Sequence, residues 1–219
     1  MTSRNIDIIE LFKQSFSIYK WHASFVFGVM CIYFVLGMIP QIYIFLTRAA
    51  QPTFQSQLIS FIFLLIQLFL ALGFTKVMLF LVEDRPVEVT DMFNNIEIFL
   101  SYIAAYFLYI IAVIIGLFLF ILPGIYVAIR LMFYPYYIIE HGDHSFKALQ
   151  KSYYATEGFN FTLQLFLFGI CWLVINFLGA LLFGIGILFT YPLTTLAVAN
   201  IFVGLKHNET QIPNDFWAE

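Results

Sequence analysis

Arg130 is the residue in this chain whose setting most suggests chemistry. It lies six residues past Leu122-Pro123-Gly124 in an otherwise apolar run, too deep for its side chain to reach the outer interface. A mid-span arginine costs about 2.5 to 3.5 kcal/mol on insertion scales, and something must offset that. No Asp or Glu lies at comparable depth in any apolar run. The expected partners are therefore backbone carbonyls, the amides of Gln41, Gln67, Asn176 and Asn200, the hydroxyls of Thr190, Thr194 and Thr195, or an anionic ligand. On the ligand alternative the candidate binding set is Arg130, Gln67, Asn176, Thr190, Thr194 and Asn200. On the structural alternative Arg130 ties helix ends together through water.

Other groupings point to chemistry less directly. Glu140-His141-Gly142-Asp143-His144 brings a carboxylate and two imidazoles close together, but a tight turn rarely aims them at one centre and the spacing matches no established zinc pattern. Gly142 ending one helix, with Asp143 or Ser145 capping the next, accounts for it better. Glu83, Asp84, Glu88 and Asp91 read as a solvated loop. No nucleophile stands out to join the histidines and carboxylates in a triad, so no catalytic residue, metal or cofactor is expected. Lys76 reads as a side chain snorkelling to headgroups. Cys31 and Cys171 lie in apolar runs and read as small buried hydrophobes.

The elements that must position these residues are dictated by an apolar composition. Of 219 residues 62% are hydrophobic and only 11% charged, against about 25% charged in soluble domains. Gly158 to Leu205 is 48 residues without a charge or a histidine. One bilayer crossing needs only about 20 residues, so this stretch must cross twice. Ala23 to Thr47, Ala49 to Thr75 and Ile98 to Ile129 are the other charge-free runs. Pro123 and Gly124 break the third, since proline interrupts the helical ladder and glycine accepts a left-handed turn. Phe183-Gly184-Ile185-Gly186 is the analogous soft point in the last run.

Six spans result, at about 23–47, 58–82, 98–121, 125–140, 161–182 and 186–205, in one membrane domain covering 1–219. Pro135 and Pro192 should each bend a span and free a backbone carbonyl. Tyr134, Tyr136 and Tyr137 read as an aromatic belt at the interface. Ala112 with Gly116, and Gly124 with Ala128, are spaced to let two helices approach closely.

Amphipathic segments precede alternate spans. Ile9, Phe12, Phe16 and Tyr19 form an apolar stripe opposite Asp7, Glu10, Lys13, Ser17 and Lys20. Val89, Met92, Phe93 and Ile96, with Thr90 as N-cap, and Ala148, Leu149, Ser152 and Tyr153, after Ser145, continue the pattern. The expected interfacial helices are about 5–20, 89–97 and 145–156. The expected architecture is thus an all-α membrane protein of six transmembrane helices in three hairpins, each preceded by an amphipathic interfacial helix, as an internal triplication. Outside the spans, seven Lys and Arg fall on the side of the termini and one, Arg48, on the other. Both termini are then cytoplasmic, in the cell membrane, and Asn208-Glu209-Thr210 is no glycosylation site. A cleavable signal peptide is not indicated, and the absence of a basic stripe argues against nucleic acid.

Leu122-Pro123-Gly124-Ile125-Tyr126, Ala148-Leu149-Gln150-Lys151-Ser152, Phe183-Gly184-Ile185-Gly186 and Tyr191-Pro192 resemble the recurring pattern of a broad group of uncharacterised bacterial and archaeal integral membrane proteins. That group is similar to the membrane domain preceding some glycerophosphodiester phosphodiesterases. The resemblance covers roughly Gly73 to Leu205, implies a six-helix membrane domain and supplies no catalytic residue; the phosphodiesterase domain itself has no room here. The expected role is non-enzymatic: binding or moving an anionic or amphiphilic small molecule or lipid. The alternatives are an accessory or assembly subunit with a membrane-protein partner or a second copy of itself, and an intramembrane lipid-modifying enzyme using the Glu140 to His144 turn.

Overall fold

In lipid, a long apolar run satisfies its own N–H and C=O groups only as a helix or in a closed barrel. The computed structural model describes residues 7–47, 54–181 and 186–209, and these are all-helical, with no strand among them. The helices are α1 (Ile8–Trp21), α2 (Ala23–Thr47), α3 (Phe54–Val82), α4 (Ile96–Leu119), α5 (Ile121–Leu131), α6 (Tyr134–His141), α7 (Ser145–Ala155), α8 (Phe159–Leu181) and α9 (Ile187–Glu209). Among the described residues, five stretches are long and apolar enough to cross a membrane: Gln57–Val82, Ile96–Leu119, Ile121–His141, Phe159–Leu181 and Ile187–Lys206. A sixth, α1 followed by α2, qualifies only as a pair bent by 90°. The lengths and composition are those of a multi-pass membrane protein.

Several boundaries differ from the sequence expectation, each for a local reason. The expected break at 122–124 falls instead at Phe120, whose backbone is extended (φ −165°, ψ 156°). Pro123 then sits in the first turn of α5, where its missing N–H has no intrahelical partner to lose. Gly124 is not in the left-handed region. A Cβ there would run into Leu117, and one on Gly116 would run into Gly124, so this pair sets the close approach of α4 and α5.

The expected helix over 89–97 is a single 3-10 turn, Val89–Met92, and Glu88 rather than Thr90 is its cap, in reciprocal bonds with Asp91. The Asn95 amide donates to the carbonyls of Asp91 and Met92 (3.1 and 2.9 Å), occupying acceptors that a continuing helix would need. Met92 is buried against Gly73 of α3, where a Cβ has no room.

The expected span over 125–140 is two helices, parted at Met132 and Phe133, with Pro135 in the first turn of α6. Pro192 stays inside α9. Gly186 directly precedes α9 and lies against Gly179, so the α8/α9 corner is also a small-residue contact. Residues 183–185 of that soft point, and Arg48, lie outside the described residues.

The core gathers around α9, which packs on α1, α3, α8 and α2. Phe202 stacks on Tyr136 and meets Tyr137 edge-on, both at 5.1 Å. Tyr134 stacks on Tyr102 at 5.9 Å and lies 5.5 Å from Tyr109. Tyr134, Tyr136 and Tyr137 are therefore interior residues rather than an interfacial belt: the break before α6 turns them onto α4 and α9, and all three are buried. The segment 145–156 likewise does not stand apart. Ala148, Leu149, Ser152 and Ala155 of α7 are buried against α4, α5 and α6.

Candidate functional site

The break between α5 and α6 leaves backbone groups that α7 satisfies. With the ladder interrupted, the Arg130 carbonyl accepts from Ser152 Oγ (2.9 Å) and Thr156 Oγ1 (3.1 Å). Ser152 Oγ also accepts the Phe133 N–H at 3.1 Å. One serine on α7 thus bridges both sides of the break. Ser152 and Thr156 are fully buried, as such polar groups can be only when paired.

The Arg130 side chain is held at the same place. It is 3% exposed, and Nη1 donates to the Thr156 carbonyl at 2.8 Å. Thr156 is the C-cap of α7, so the guanidinium meets the negative end of that helix dipole. Its carbon lies 4.1 Å from the Tyr153 ring centre and 5.5 Å from that of Tyr126, within cation–π range. Among the described residues it has no carboxylate partner, and its Nε is buried without a hydrogen bond. Of the partners expected from sequence, the backbone carbonyl is the one present.

A groove of about 560 Å³ opens beside it between α5 and α8. Pro123, Tyr126 and Ile129 form one wall, and Thr162, Leu163 and Phe166 the other. Tyr126 belongs to both features, lining the groove and facing the guanidinium. The Thr162 hydroxyl donates to the carbonyls of Gly158 (2.9 Å) and Thr156 (3.3 Å), which leaves the lining apolar.

Of the rest of the candidate binding set only Asn176 and Thr194 are brought together, and away from Arg130 on α8 and α9. Gln67 donates to the Gly37 carbonyl at 3.4 Å, between α3 and α2. Asn176 donates to Thr194 Oγ1 at 3.0 Å and to the Trp172 carbonyl, joining α8 to α9. Thr190 is near Gly179, and its hydroxyl is buried without a partner. Asn200 donates to Ser15 Oγ on α1 at 2.9 Å. These polar residues are spread over three helix pairs, α2/α3, α8/α9 and α1/α9, because a single amide or hydroxyl is enough to satisfy one interhelical contact. The side chain of Gln41 lies outside the described residues. Lys76 Nζ donates to the Asn94 carbonyl at 3.0 Å, fixing the 3-10 turn to α3.

Sequence reading missed an ionic cluster where α3, α6 and α9 end. Glu83 accepts from Lys206 at 2.9 Å and lies 2.7 Å from Arg85; Glu140 accepts from Arg85 at 2.7 Å and also from Lys206. The carboxylates are 10% and 11% exposed, so Glu83 is not loop decoration. Bonding to Glu140 holds the Arg85 guanidinium even further above its ordinary pKa. The available signal was that Lys206 directly follows the 48-residue charge-free run, with Glu83 and Glu140 at the ends of two other helices.

In the 140–144 turn, Gly142 is left-handed (φ 63°) and ends α6. Asp143 pairs with Lys151 and Lys147 instead of capping, the N-cap of α7 is His144, and Ser145 Oγ donates to the Ser101 carbonyl at 2.9 Å. The carboxylates of the turn are thus committed to cations. Among the described residues no group of three His, Cys, Asp or Glu is placed to hold a metal ion.

Comparisons of the chain with protein-family models, with curated proteins and with solved structures found no match.

Proposed function

We propose that this chain binds an amphiphilic, anionic molecule, a lipid or lipid-like metabolite, in the groove between α5 and α8, with Arg130 supplying the positive charge. The observation that carries this reading is the junction at Tyr126. An apolar groove of about 560 Å³ is lined in part by a ring that lies 5.5 Å from a buried cation without a carboxylate partner among the described residues. Ligand sites are concave, mostly apolar, and carry a few polar groups that fix orientation. Arginine suits the role because it stays charged when dry and bonds planar anions in two directions. The groove offers no free nucleophile or acid–base pair, so binding or movement of the ligand, and not its conversion, is the role supported.

On this reading the helices form three hairpins, each entered through a helix or turn at the inner interface. Both termini are cytoplasmic, as the seven-to-one distribution of Lys and Arg favours. The protein then belongs with the prokaryotic membrane domains that its Leu-Pro-Gly and Tyr-Pro segments resemble.

The test is native mass spectrometry of protein released from native nanodiscs, comparing wild type, Arg130→Leu and Leu163→Trp. One bound lipid or metabolite on the wild type that is missing from both folded variants, over and above any lipid that all three retain, is the expected result. A wild type that emerges bare but joined to another polypeptide would overturn the proposal and make the chain an accessory subunit.

A further inference from the structure

A second groove, of about 720 Å³, lies between α1 and the α8/α9 pair, remote in sequence from α5 and independent of the reading above. Phe12 and Phe16 of α1 form one wall, Ile170 and Val174 of α8 with Leu193 of α9 the other, and Lys13 is the one charged residue in its lining. Lys13 is exposed and makes no ion pair among the described residues. The acidic groups nearest in sequence are otherwise engaged: Asp7 accepts from the amides of Ile9 and Glu10 at 3.0 and 3.1 Å, and Glu10 accepts from Gln14. The groove's size falls in the range of about 300 to 1,000 Å³ typical of ligand sites.

Among the described residues this apolar groove has a single unpaired ammonium at its margin, so a complementary occupant is apolar along its length and negative at one end. We infer that this groove holds an acyl chain of an anionic phospholipid whose phosphate pairs with Lys13. Lysine binds phosphate as a flexible point charge, and its four-carbon stem lets the ammonium meet a headgroup beside the apolar wall. Because α1 stands at 90° to the start of α2, the groove's α1 wall runs across the direction of the spans. A chain lying against it is fixed at one end by charge and along its length by Phe12 and Phe16.

The test uses the Leu163→Trp background, so that the α5/α8 groove contributes nothing. The protein is reconstituted in vesicles of equal phosphatidylglycerol and phosphatidylcholine, and the lipid it retains is read by native mass spectrometry. One phosphatidylglycerol should be retained in preference to phosphatidylcholine. Lys13→Gln should abolish the preference, and Val174→Trp should abolish retention of either lipid.

A second readout does not depend on bulky substitution. In a Cys31→Ser protein, Cys171, which lines this groove, should react more slowly with a membrane-soluble maleimide in phosphatidylglycerol vesicles than in phosphatidylcholine vesicles. Equal retention of the two lipids by the parent protein, or an unchanged preference in Lys13→Gln, would overturn the inference. A dimer mass with no lipid would do the same and assign the groove to a second copy of the chain.

Discussion

Two regions of the molecule hold cations near helix ends, and they do so by opposite means. At the α5/α6 break, Arg130 is 3% exposed and has a carbonyl, a helix C-terminus and two tyrosine rings, but no carboxylate among the described residues. Where α3, α6 and α9 end, Arg85 and Lys206 are 38% and 30% exposed and face two carboxylates. The difference follows from water. An ion pair taken fully out of water carries two desolvation penalties, so a deep cation is held at lower cost by dipoles and π faces that are already neutral. Near water the penalty shrinks, and paired charges can cross-link three helices with little energy at stake. The first region is therefore expected to depend on hydrogen-bond geometry, the second on net charge and salt.

The sharpest contrast is between Ser152 and the charge beside it. Ser152→Ala removes one of the two donors to the Arg130 carbonyl and strands the Phe133 N–H in a buried site. An unsatisfied buried group costs about 1 to 3 kcal/mol, so this variant should lose that much stability to unfolding in detergent. It should do so more severely than any single change in the ionic cluster. Equal stability of Ser152→Ala and wild type would mean that the break is not held by α7.

Glu140→Gln should come next, at about 1 kcal/mol or less, since it keeps the shape but leaves Arg85 and Lys206 sharing only Glu83. Arg130→Leu should be smaller still in stability. The substitution gives up one hydrogen bond but also removes the desolvation cost of a buried charge, and the break's own bonds run through the Arg130 backbone, which it keeps. Its expected large effect is on retained ligand alone. An Arg130→Leu protein that unfolds in mild detergent would assign the guanidinium to architecture.

These orderings also explain what was legible in the sequence. Helical content and the long apolar runs follow from composition, because a charge-free stretch in lipid has few other ways to satisfy its backbone. The α4/α5 corner was located to within a few residues, but its mechanism was misread. Proline and glycine suggest a turn by local propensity, whereas here Pro123 tolerates a helix start and Gly124 gives room to Leu117. The 3-10 turn was hidden for a related reason: one side chain, Asn95, occupies the carbonyls that decide whether the helix continues. Arg130 was recognisable as costly, but its partner was not, since a backbone carbonyl 26 residues on has no residue-type signature. The ionic cluster was least legible. Its members are brought together across 55, 66 and 123 residues by the packing of three helices, a distance at which a single chain shows only that each charge is present.

Salt separates the two regions with the smallest effect of all. Screening acts on charges that water reaches, with a Debye length of about 10 Å at 0.1 M, and much less on a cation held by dipoles in a dry site. Raising ionic strength from about 0.05 to about 0.5 M should therefore lower wild-type stability by a few tenths of a kcal/mol through the exposed cations Arg85 and Lys206. Arg130→Leu should keep that slope, because its guanidinium contributes nothing to screen. Glu140→Gln should make it shallower, because the substitution removes one of the two carboxylates that both cations share. If the slope followed Arg130 instead, water would have to reach the α5/α6 break. The groove at Tyr126 would then be a wet passage and not an apolar seat, and an acyl chain would be the wrong occupant for it.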